Sequence, residues 1–208
     1  MYQDILEELV AKLKDDAALM NVAQTIQQNS TIRSFDDQIP SELLDPVIEE
    51  ITSKGWNYGW RSSKMLGYGH WNIVLSDSKV ERDEVYHEVS DEVRKLWDYI
   101  QPRFMPTTPV LVRAYANAHT YGVEGYIHVD SKFPDDQTCV IYIEKDWQPE
   151  WAGETMFFDD DGDCIKAVSP KFGRMTIFPG NIKHCGRGVS RVCPTIRRVL
   201  VFKAKPRD

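Results

Sequence analysis

From Val110 onward the chain is a succession of short strand-like runs, and this half constrains the fold most tightly. Apolar and β-branched residues gather at 110–115, 126–130, 138–143, 155–158, 165–168, 174–178 and 198–202. Turn-forming residues separate the runs, among them Phe133-Pro134-Asp135-Asp136, Asp161-Gly162-Asp163 and Pro179-Gly180-Asn181. Short strands at such close spacing predict a β-sandwich or jelly-roll barrel, because each needs neighbours to bury its apolar face. Helical periodicity is kept to the front. Ile5, Leu6, Leu9, Val10 and Leu13 mark one amphipathic helix. Asp45-Pro46 is expected to open a second, carrying Val47, Ile48 and Ile51 and stopped by Gly55. A third is expected through Val85, Val89, Val93, Leu96, Trp97 and Ile100, ended by Pro102. Strand-like pieces at 56–60 and 71–75 flank a glycine-containing loop, 61–70. The expected fold is mainly β with supporting α-helices: a double-stranded β-helix, the cupin-like jelly roll, with N-terminal helices packed on it.

Composition narrows the class. A chain of 208 residues with 42% hydrophobic content suits one domain, 1–208, with helical support in 1–108 and the jelly-roll core in 109–208. Net charge is −7, from 25 basic and 32 acidic residues, which speaks against nucleic acid as a partner. No apolar run reaches the ~18 residues of a spanning helix, so no membrane association is expected. The N-terminus lacks the pattern of a signal peptide, and Cys139, Cys164, Cys185 and Cys193 form no CxxC pair. A cytoplasmic protein is the expectation.

The chemistry centres on Gly125-Tyr126-Ile127-His128-Val129-Asp130. Residues two apart on a strand share a face, so His128 and Asp130 converge on one point. His184 follows the apolar run at 174–178 and its Pro179-Gly180 turn, placed to enter on a later strand as a third ligand. Two histidines and a carboxylate make the facial cradle for non-haem Fe(II). His87 reads as a surface or packing residue of the third helix, and His70 and His119 as loop residues. The Asp159-Asp160-Asp161-Gly162-Asp163 cluster reads as an acidic hairpin turn, since its glycine is misplaced for an EF-hand loop.

Residues 110–204 resemble the Fe(II)- and 2-oxoglutarate-dependent oxygenases, and within them the prolyl hydroxylase branch. The resemblance rests on His128-Val129-Asp130, Tyr142 followed by Lys145-Asp146-Trp147, Trp151-Ala152-Gly153-Glu154-Thr155, His184 and Arg197-Arg198 with the strand after them. It differs at Ala152, where collagen-type relatives often have a first of two glycines. The resemblance implies a dioxygenase that couples oxidative decarboxylation of 2-oxoglutarate to hydroxylation of a prolyl residue in a peptide or protein. It implies Fe(II) on His128, Asp130 and His184, with 2-oxoglutarate and O2 as co-substrates and ascorbate as a reductant. An arginine on the last core strand would grip the far carboxylate of 2-oxoglutarate. Arg197 and Arg198 both qualify; Arg197 is favoured because its register places Val199 and Val201 inside. Tyr142 is expected to reach the same carboxylate, and Tyr115, Tyr126 and Met156 to line the cavity. The 61–70 loop takes the place of the mobile lid of relatives. The alternatives are a hydroxylase of a free amino acid or other small metabolite, and a non-catalytic jelly-roll binding module.

Overall fold

A computed structural model describes residues 17–61, 69–76 and 89–207. The expected helix around Ile5 to Leu13, the start of the third helix at Val85, His87 and most of the expected lid loop lie outside them. The elements run α1 (Ala17–Thr31), β1 (Arg33–Phe35), α2 (Ser41–Ser53), β2 (Asn57–Trp60), β3 (His70–Val74) and α3 (Asp91–Phe104). After these come β4 (Val110–His119), β5 (Gln137–Tyr142), a 3-10 turn (Pro149–Trp151), β6 (Thr155–Phe158), β7 (Cys164–Val168), β8 (Met175–Pro179), β9 (Lys183–Gly186) and β10 (Arg197–Lys205).

Seven strands form one sheet in the order β1-β8-β5-β10-β4-β3-β2, and three form a second in the order β7-β6-β9. Every strand pair is antiparallel. The segment 125–130 extends the smaller sheet along β9. Gly125 N–H donates to Gly186 O at 2.8 Å, and His128 and His184 exchange both backbone bonds, at 3.0 and 2.9 Å. The two sheets enclose a jelly-roll core, as the strand spacing predicts.

Period two in the strands divides the interior into two layers. On β10, Leu200, Phe202 and Ala204 point to the helix side, where they meet Leu44, Val47 and Ile51 of α2 and Val93, Leu96, Trp97 and Ile100 of α3. Val199 and Val201 point between the sheets, beside Tyr115, Val140, Tyr142, Phe157 and Phe178. Enclosing each large apolar side chain of either layer contributes about 1.5–3 kcal/mol. α3 begins at Ser90, whose hydroxyl accepts from Val93 N–H at 3.3 Å.

Two helix boundaries differ from expectation. α2 starts at Ser41 after Pro40 and contains Pro46, and α3 continues through Pro102 to Phe104. Proline costs a helix one backbone bond, but the burial of Leu44, Val47 and Ile51 on α2 outweighs it. Pro102 falls in the last turn of α3, where little helix remains to break. The run 126–130 is not a regular strand; it makes a single bridge at His128. β4 extends past Tyr115 to His119, so His119 is a strand residue rather than a loop residue, and His70 opens β3. No described helix is long and apolar enough to cross a membrane.

Candidate metal centre and co-substrate pocket

His128, Asp130 and His184 meet where the 125–130 segment crosses β9. One ligand atom from each lies within 4.8 Å of the others. Both imidazoles are oriented by their own backbone. His128 Nδ1 donates to Tyr126 O at 2.7 Å, and His184 Nδ1 donates to Ile182 O at 2.9 Å. Each bond holds the proton on Nδ1 and leaves the Nε2 lone pair free. His128 Nε2 lies 3.4 Å from Asp130 Oδ1, and His184 Nε2 lies 3.5 Å from Asp130 Oδ2. Thr138 donates its hydroxyl to Asp130 Oδ2 at 2.6 Å.

The local charges suit a cation. Burial pushes the His184 imidazole down to about 4, so it stays neutral near pH 7. Burial opposes ionisation of Asp130, yet Lys203 and the two imidazoles hold its carboxyl well below the usual range. Two Nε2 donors and one carboxylate on adjacent backbone segments fit a divalent iron in donor type and in mutual reach.

The same cavity is walled by Tyr115, Asn117 and His119 of β4, Thr155 of β6, and Arg197, Val199 and Val201 of β10. Arg197 is 2% exposed. Its Nε donates to Gly153 O, Nη1 to His119 Nδ1 at 3.2 Å, and Nη2 to Thr155 Oγ1 at 2.9 Å. A guanidinium has five N–H donors, so these bonds leave one on each terminal nitrogen. Two such donors form the fork that takes a carboxylate with parallel bonds. Burial first, then the neighbouring Arg197 and His70, hold His119 well below its ordinary range. Neutral His119 can therefore accept from the arginine, which puts its own proton on Nε2.

Tyr142 stands behind the arginine rather than in the cavity. Its hydroxyl donates to Val168 O at 2.9 Å, so Thr155 supplies the proton of the 2.6 Å Tyr142–Thr155 bond. The line Arg197 to Thr155 to Tyr142 to Val168 O then has one proton per link. Tyr142 thus lies against the arginine, with its ring 5.3 Å from the guanidinium carbon and its hydroxyl bonded to Thr155 and Val168 O. Arg198 faces the other way, toward Glu144 and Thr52 of α2.

Met156 is not in the cavity. On β6 the buried positions are Thr155 and Phe157, so alternation turns Met156 to the opposite face. Tyr126 lends its backbone carbonyl to His128 and does not line the cavity wall. Thr155 and Asn117 belong to the pocket although sequence reasoning gave them no role there, and His119 joins them from a strand rather than from the loop expected for it. Continuing the period-two reading of Tyr115 by four residues would have found Asn117 and His119.

The comparisons with known proteins agree with this geometry. Residues 116–203 match the family model described as the 2OG-Fe(II) oxygenase superfamily. That segment holds the triad and Arg197, so the part of the chain that carries the site is similar to a superfamily named for Fe(II) and 2-oxoglutarate. A Pseudomonas putida prolyl-4-hydroxylase structure is similar at 16% identity and TM-score 0.57, over 98% of this chain and 100% of the other. A Burkholderia pseudomallei 2OG-Fe(II) oxygenase family member is similar at 12% identity and TM-score 0.66, over 98% and 92%. A Trichoplax adhaerens prolyl hydroxylase, solved with a hypoxia inducible factor peptide fragment, is similar at 12% identity and TM-score 0.58, over 98% and 90%. No curated protein matches the chain significantly.

Proposed function

We propose that the chain is an Fe(II)- and 2-oxoglutarate-dependent dioxygenase that hydroxylates a prolyl residue in a peptide or protein. The observation that carries the reading is the triad, with both Nδ1 protons tied to backbone carbonyls and both Nε2 atoms turned to Asp130. His128, Asp130 and His184 hold the iron, and Arg197 grips the far carboxylate of 2-oxoglutarate through its two spare N–H groups. His119 and Thr155 keep the guanidinium plane fixed, and Val199 and Val201 keep that side of the pocket dry. The iron supplies O2 activation, and the protein supplies geometry. The prolyl substrate is supported by the likeness to the Pseudomonas and Trichoplax prolyl hydroxylases, whose overall course the chain follows.

Anaerobic addition of Fe(II) and 2-oxoglutarate should give the visible charge-transfer band of a bound chelate, and His128→Ala or Asp130→Ala should remove it. Oxygenation with proline-containing peptides should then release succinate and a peptide one oxygen atom heavier. A band that survives in both variants would overturn the metal assignment. Succinate without an oxygenated peptide would overturn the prolyl substrate alone.

A further inference from the structure

Arg197 is not the only cation on the inward face of β10. Six residues further along, Lys203 projects from the same face, and its Nζ lies 2.7 Å from Asp130 Oδ1. Directly opposite on β4 is Arg113. The Arg113 guanidinium is held between the rings of Trp60 and Tyr115, at 4.3 and 4.8 Å, and its Nε makes no hydrogen bond. These two cations, with Asp130, Asp136, Thr138 and Gly180, line a cavity of about 180 Å3 that shares the Asp130 wall with the metal centre.

The charges there change when iron binds. Without metal, Lys203 is matched by Asp130. A divalent ion on Asp130 draws that carboxylate's charge to itself. Lys203 and Arg113 then face the cavity with Asp136 as the remaining acid, and Asp136 already accepts from the Ser131 hydroxyl. The guanidinium plane is fixed by two rings before any ligand arrives, which lowers the ordering cost of a planar anion. A cavity this small, beside the metal and carrying surplus positive charge, suits a carboxylate.

We propose that Arg113 and Lys203 bind a carboxylate of the primary substrate and so set which carbon is presented to the iron. The proposal rests on the oxygenase reading above and deepens it. The acid group has two possible sources: the α-carboxylate of a free amino acid or chain-terminal residue, or an acidic side chain beside the target in a peptide.

The experiment is calorimetric titration of the Fe(II)–2-oxoglutarate complex under argon, where nothing turns over. The ligands are matched acids and amides: L-proline and L-prolinamide, a proline-ended peptide free and amidated, an Asp-Pro peptide and its Asn-Pro counterpart, and L-norvaline with its amide as a pair lacking the ring. At least one acid should bind tenfold or more tightly than its partner, and the pair that does so names the source. Lys203→Met and Arg113→Met should each abolish the preference. The visible band of the iron chelate checks metal loading in each variant. If Lys203→Met loses the band, Arg113→Met carries the test, because Arg113 makes no bond to Asp130. Equal binding of acid and amide in every pair, no binding of any ligand, or a preference that survives Arg113→Met overturns the proposal. Prolyl ligands that bind without preference overturn it and leave the prolyl reading standing. A preference confined to the norvaline pair does the reverse.

Discussion

Ala152 occupies a backbone conformation that suits glycine, with φ 57° and ψ −140°, and Gly153 follows at φ 84°. Together they swing the Gly153 carbonyl onto Arg197 Nε. Gly153 has no alternative: a Cβ there would lie 3.1 Å from both Arg197 Cδ and the Trp147 ring. At Ala152 the strain of about 1–3 kcal/mol is larger than the ~0.5–1 kcal/mol entropic cost of a glycine. Ala152→Gly should therefore raise the unfolding free energy by about 1 kcal/mol, read from the midpoint of a urea titration. At this scale much of the site was legible. His128 and Asp130 share a face by simple alternation, and the register that buries Val199 and Val201 also turns Arg197 inward. Met156 was misplaced because the Gly-Glu-Thr segment does not reveal the phase of its strand. Tyr142 was expected at the far carboxylate because sequence cannot show that its hydroxyl is taken up by Thr155 and Val168 O.

Short elements were the hardest to foresee. β1 has three residues and β9 four, and Lys-His-Cys-Gly in β9 lacks the apolar alternation that marks a strand. Both exist because a neighbour supplies the edge: β8 for β1, β6 for β9. The long strands β4 and β10 were read in place but cut short, since polar Asn117, His119, Lys203 and Lys205 hide their ends, whereas β5 was read at full length one residue late. β1 is also clamped from beyond its end. Asp36 accepts from Arg174 Nε and Nη2 at 2.7 and 2.9 Å and from Lys171 at 3.1 Å. The Arg174 bond foremost holds the Asp36 carboxyl down to about 2. A carboxyl depressed from 3.8 in the folded state stabilises above about pH 4 and ceases to do so as pH falls toward 2. Asp36→Asn should destabilise the chain at pH 7 by roughly 1 kcal/mol or less, since the pair is a third exposed. The difference between the two proteins should vanish near pH 2, by denaturant titration across that range.

Over the whole molecule, the interior between the sheets carries histidines that stay neutral. Burial foremost pushes His70 down to about 4, and it sits against His119, ring centroids 5.1 Å apart. A base whose folded value is depressed gains its proton only on unfolding. Below pH 6.5 the unfolded chain is protonated and the folded one is not, so stability falls as pH drops from 6.5 toward 4. For His70 the full loss is at most about 3 kcal/mol. His70→Gln should flatten the dependence of melting temperature on pH between 7 and 5 relative to the parent protein. The overall architecture was legible because closely spaced apolar runs have few ways to bury their faces. What sequence could not supply was the depth of these imidazoles, which depends on strands meeting from distant parts of the chain.

β10 also works as a ruler. Arg197 and Lys203 stand six residues apart on one central strand, flanked by β4 on one side and β5 on the other. Six residues of strand span about 20 Å, and every other position between them is committed to the opposite layer. Inserting or deleting one residue would rotate Lys203 toward the helices and bring a helix-facing apolar residue into the cavity. The interval between the two cations can therefore change only in steps of two residues, about 7 Å at a time. Changing the charge at that end of the cavity therefore means exchanging the residue at the far mark, not moving it.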